Sequence, residues 1–114
     1  MLALIVVLAA SSPAVRNAAE RHTLIELAHV LGEAHALHRV CAGPTDDLWR
    51  GRMQRLIEVE APSESLKTEL TSSFNAGFTA PETQAKDCAA AAATERTVSR
   101  KGAMLASKLG NNPQ

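Results

Sequence analysis

From Ala18 to Arg39 the apolar residues return at steps of three and four. Leu24, Leu27, Ala28, Leu31 and Ala34 fall on one side, with His35 and His38 beside them. That is the stripe of a helix with one buried face, and it does not serve a strand, whose side chains alternate. Ala42, Gly43 and Pro44 then break the pattern. Three more stretches read the same way. A second helix is expected from about Asp46 to Glu60, capped by Thr45 or Asp46, with Trp49, Met53, Leu56 and Glu60 on its inner side. A third is expected from Glu64 to Phe78, with Ser63 as cap, Leu66, Leu70, Phe74 and Phe78 inward, and Pro81 as the stop. The fourth is alanine-rich, Ala89 to Leu109, with Ala91, Val98, Gly102, Leu105 and Leu109 on one face and Gly110 at its end. No segment alternates as a strand would. The expected fold is therefore all-α, a small four-helix bundle.

Met1 to Ala14 stand apart from this pattern. Leu2 to Ala10 are unbroken apolar, and Ser11, Ser12, Pro13 and Ala14 follow. A short apolar run ending in small residues is how a secretory signal peptide reads, with cleavage after Ala14, although no Lys or Arg precedes the run. The run falls short of the roughly 20 residues that span a bilayer. A retained anchor is the alternative to cleavage. With the leader removed, residues 15–114 form one domain, its core at about 18–109 and its last residues, 110–114, frayed. Periplasmic or secreted localisation follows from this reading, with no membrane span after cleavage.

Twelve basic and twelve acidic residues cancel. Nucleic-acid binding normally shows a basic excess, so no nucleic-acid partner is expected. Domains of this size bury only about 60–70% of their unfolded surface, and a covalent staple matters to them. Cys41 and Cys88 are placed to be one, joining the end of the first helix to the start of the fourth. In the chain-entropy account a loop of that length contributes about 4 kcal/mol. A free reactive thiol pair is the alternative, and the wide spacing is not that of a Cys-x-x-Cys redox motif.

Taken in order, Leu31-Gly32, His35, Leu37, Cys41, Leu48-Trp49-Arg50, Met53, Leu56, Glu60, Pro62, Phe74-Asn75-x-Gly77-Phe78 and Cys88 resemble a small alphaproteobacterial family of periplasmic proteins carrying a domain of unknown function. The resemblance runs from about Thr23 to Leu109. It implies export, a helical fold and paired cysteines, and it implies no activity. The chain departs from the family between Phe78 and Cys88, where Thr79-Ala80-Pro81-Glu82 stand in place of further aromatics.

Few residues invite chemistry. His22, Glu26, His29 and Glu33 fall within about 60° of arc on the first helix. Such a set can bind zinc or copper, or it can be a solvated face of i, i+4 pairs. His35 and His38 lie on the apolar side, where one at least is expected to be buried. His35 with Arg50 and Glu60 can line a polar pocket between the first two helices. Trp49 reads as core, and Asn75 points away from Leu66. There is no phosphate loop, no His-Glu-x-x-His and no nucleophile motif. The expected function is a non-enzymatic exported module with no cofactor. It would bind another envelope protein through Trp49, Arg50 and the Phe74–Phe78 segment, with His35, Glu60 and Asn75 as further contacts. Metal binding through the His/Glu face and a small hydrolase using His35 with Glu60 are the alternatives.

Overall fold

A computed structural model describes residues 15–110. Four helices carry the chain: α1 at Ala18–Ala42, α2 at Leu48–Glu60, α3 at Glu64–Phe78 and α4 at Cys88–Gly110, with a 3-10 turn at Pro81–Thr83. No strand occurs among the described residues. A disulfide joins Cys41 to Cys88. The expected all-α, disulfide-closed architecture is what the chain adopts. The expected leader and the last four residues of the tail lie outside the described residues. Within them, no helix is long and apolar enough to cross a membrane.

The helix ends follow local chemistry. Asn17 starts α1 through a reciprocal capping box. Its side-chain oxygen accepts the Glu20 N–H at 2.8 Å, and the Glu20 carboxylate accepts the Asn17 N–H at 2.9 Å. This helix runs past the expected Arg39 to Ala42, so Cys41 sits in its last turn, and Gly43 with φ 103° stops it. Start of α2 comes at Leu48, two residues late, because the Asp46 carboxylate accepts the Leu48 N–H and holds the preceding turn out of helix. Ala61, left-handed at φ 42°, and Pro62 end it. Ser63 caps α3 as expected, accepting the Leu66 N–H at 3.2 Å. Pro81 does not kink that helix but opens the 3-10 turn beyond it.

The core is built around α1. It packs against each of the other three helices and the 3-10 turn, while those elements pack little on one another. Leu24, Ala28, Ala34 and Leu37 are fully enclosed. The tightest contact is the crossing of α1 and α3 at two glycines. A Cβ on Gly32 would lie 2.0 Å from the Phe74 carbonyl oxygen, and one on Gly77 would lie 2.0 Å from that of His29. Backbone touches backbone there, and the Ser73 hydroxyl donates across the same contact to the Ile25 carbonyl at 2.7 Å.

Arg16, ahead of α1, clamps the far end of the molecule. Its Nε and Nη2 donate to the two carboxylate oxygens of Glu60 at 2.9 and 3.0 Å, and Nη1 reaches Glu20 at 3.3 Å and the Leu109 carbonyl at 3.4 Å. Both side chains of the Arg16–Glu60 pair are almost wholly covered. The hydrogen bond it donates to Glu60 raises the Arg16 pKa above its ordinary value. Arg16→Ala should lower the unfolding free energy by about 2–3 kcal/mol, because it leaves a covered carboxylate without its charged donor. Arg16→Lys should recover only part of this, since a lysine cannot reproduce the two-pronged contact. Urea titrations of the three proteins test this, and an Arg16→Ala midpoint equal to that of the parent would remove the clamp from the account.

Candidate functional site

Because α2 rests on α1 without extensive packing on α3 or α4, a hollow opens along each of its flanks. On one flank, Arg50, Met53, Gln54, Ile57 and Glu58 face Lys67, Thr71, Phe74 and Asn75 across a cleft of about 470 Å³. Steps of three and four along α2 and along α3 place each set on one helical face. Donor groups of Arg50, Lys67, Gln54 and Asn75, together with the Glu58 carboxylate, surround an apolar floor of Met53 and Phe74.

Behind this floor lies His35, buried as expected, with only 6% of its surface exposed. The imidazole sits between two aromatic rings, 5.7 Å from Phe74 and 5.2 Å from Phe78, centroid to centroid. Its Nδ1 is enclosed and has no hydrogen-bond partner, contrary to the usual habit of buried histidines. The Arg39 guanidinium stands over the outer ring, 5.3 Å from the Phe78 centroid. Burial, and then the charges of Arg39 and Arg50, hold the His35 pKa below its ordinary value, with Asp46 and Asp47 opposing them.

The sign of the resulting pH dependence follows. The native state prefers neutral His35, whereas the unfolded chain takes up a proton near pH 6.5. Between that pH and the lower native value the unfolded state holds more protons, so stability falls as pH falls. Glu33 acts oppositely. Burial first, and then the neighbouring Glu82 carboxyl, raise its pKa, so protonation on acidification relieves the native state. Comparison of the parent with His35→Gln isolates the histidine. The variant should lose less stability between about pH 7 and pH 5 than the parent does, and equal slopes would contradict a proton-averse His35.

The expected site residues divide between places. Arg50 and Asn75 line the α2–α3 cleft, and Phe74, of the expected Phe74–Phe78 segment, forms part of its floor while packing on the core behind it. Phe78 is not part of that cleft; it lies between His35 and Arg39 and lines a separate hollow with Arg39 and Pro44. Trp49 is buried, as the sequence suggested, and lines the other flank of α2, where the Arg52 guanidinium lies 4.3 Å from the centre of its ring. Glu60 is not part of a pocket with His35 and Arg50. It lies ten residues from Arg50 along α2, about 15 Å by helical rise, and its carboxylate is held by Arg16. The four residues of the His/Glu face pair off as His22–Glu26 at 3.1 Å and His29–Glu33 at 3.2 Å. Glu33 is buried rather than solvated. Among the described residues no three His, Cys, Asp or Glu side chains gather in a group that can hold a metal ion.

One polar centre went unforeseen. Glu95 accepts the Trp49 indole N–H at 3.1 Å and lies 3.0 Å from His38 Nδ1, while His38 Nε2 lies 3.5 Å from Asp46. This network ties α1, α2 and α4 together near the disulfide. A signal for it existed, since Glu95 is the single acidic residue in the helix from Cys88 to Gly110.

No curated protein and no solved structure matches the chain. The model of one family, described as "Protein of unknown function (DUF2385)", does match, over residues 20–112. That span takes in the four helices but for the first two residues of α1, with the disulfide, the glycine crossing and the cleft, and the chain belongs to this family of proteins of unknown function.

Proposed function

We propose that this chain is an exported, non-catalytic helical module that binds another envelope protein, and that the partner seats in the α2–α3 cleft. The observation that carries the reading is the make-up of that cleft. An exposed arginine with no ion pair among the described residues, Arg50, stands beside an aromatic and a methionine, with amide and ammonium donors and one carboxylate, Glu58, around them. Arginine, aromatic and methionine side chains are those enriched where proteins recognise one another. Support for export comes from the sequence, in the apolar run Leu2–Ala10 and the small residues after it.

Arg50→Ala should weaken partner capture by at least about thirtyfold, the scale of a hot-spot arginine, and leave the circular dichroism spectrum unchanged. Quantitative affinity capture from the cell envelope, parent against variant, measures it. An unchanged set of captured proteins would remove the cleft from the reading. For export, mass spectrometry of the native protein should find an N-terminus at Val15, and an intact Met1–Ala14 segment in the cytoplasm would contradict it.

A further inference from the structure

The opposite flank of α2 holds a second surface. A hollow of about 410 Å³ runs between α2 and α4, floored by Leu27, Leu31, Trp49 and Leu56 and nearly devoid of polar groups. Ser99 also lines a second hollow on α4, with Arg96, Arg100 and Glu95. Four exposed arginines border these neighbouring hollows: Arg52 and Arg55 on α2 line the apolar one, and Arg96 and Arg100 on α4 line the second. None makes an ion pair among the described residues. The one carboxylate lining the two hollows belongs to Glu95, and Trp49 and His38 already engage it. A chain with zero net charge thus gathers four uncompensated guanidinium groups along and beside an apolar trough.

We propose that this groove receives an acidic amphipathic helix from a protein partner. An apolar trough between two helices takes the apolar stripe of a third, and positive borders on both sides match carboxylates flanking that stripe. A symmetric second copy would bring four more arginines to the same face, and like charges across an interface oppose association. A concave trough fits a helix better than it fits a flat anionic membrane. The surface is independent of the α2–α3 cleft, because Arg50 and Arg52 point to different flanks of α2.

Trp49 is the only tryptophan in the chain and lies in the floor, so its fluorescence reports occupancy. The probe is a synthetic helical peptide of about 18 residues, long enough to hold helix, with leucines on one stripe and glutamates beside it. The expected result is a saturable change in Trp49 emission. Affinity should fall at least tenfold in the exposed double variant Arg55→Glu/Arg100→Glu, and should fall on raising salt from about 0.05 to 0.5 M, where exposed charges are screened. Arg50→Ala should bind the peptide as the parent does, which separates this groove from the cleft. Four results would overturn the proposal: no saturable change, equal binding of a peptide with lysine for glutamate, a response to anionic vesicles or oleate but none to the peptide, or self-association that the same double variant abolishes.

Discussion

Gly32→Ala and Gly77→Ala should each destabilise the protein by about 3 kcal/mol or more, although alanine is the better helix former. Helix propensity alone favours the substitution by about 1 kcal/mol. Against it stands a Cβ placed 2.0 Å from a carbonyl oxygen of the facing helix, with the carbonyl carbon at 2.9 Å and an amide nitrogen at 3.0 Å. None of these atoms is the end of a flexible side chain, so α1 and α3 must separate by more than an ångström to admit it. Overpacking of this kind costs about 1–3 kcal/mol even where side chains can move, and more where backbone must. The separation also loosens Leu70, which is fully buried, and the Ser73 to Ile25 hydrogen bond. Two other glycines serve as internal references. Gly51, the fourth residue of α2, faces open space, so Gly51→Ala should stabilise by up to about 1 kcal/mol. In Gly102→Ala the new methyl meets only side-chain ends, Val30 at 3.2 Å and Leu27 at 4.0 Å, and the change should be near neutral. Urea midpoints of the four variants give the order directly, and a Gly32→Ala protein as stable as Gly51→Ala would show that the helices do not touch there.

Loss of the disulfide should be the other large effect. Both cysteines are exposed, at the last turn of α1 and the first residue of α4, so neither contributes much by packing. Their bond acts on the unfolded chain by removing the freedom of the loop between them, which is worth about 4 kcal/mol. That is a large share of the 5–15 kcal/mol typical of a whole domain. Cys41→Ser and Cys88→Ser should each cost this amount, and the double variant should cost no more, because all three changes break one bond. Additive losses, or two titratable thiols in the native protein, would contradict the staple.

The helices were legible because each carries its own periodicity, and α3 ends at Phe78 as its pattern foretells. What the sequence hid lies between helices. Gly32 and Gly77 carry no local mark of a close approach, which exists only where the two meet. Glu33 falls on the polar side of a helical wheel that assumes one buried stripe. With α3, α4 and α2 all packed on it, α1 is buried around most of its circumference, and Glu33 is covered with it. The Arg16 clamp on Glu60 was invisible because Arg16 precedes the first periodic segment. A groove shared by Trp49 and Arg50 was never open to the chain. Consecutive helical residues point about 100° apart, 3.6 to a turn, and these two line opposite flanks of α2.

Recognition by the α2–α3 cleft is tested most directly in the living cell. A photo-crosslinking amino acid placed at Gln54 or Thr71, on opposite walls of the cleft, should trap the same protein from either position. The adduct should be missing when the probe stands at Ala19, exposed at the start of α1, and should disappear from both cleft positions when Arg50→Ala is added. Adducts that form equally from Ala19, or that survive the loss of Arg50, would contradict a partner seated in this cleft.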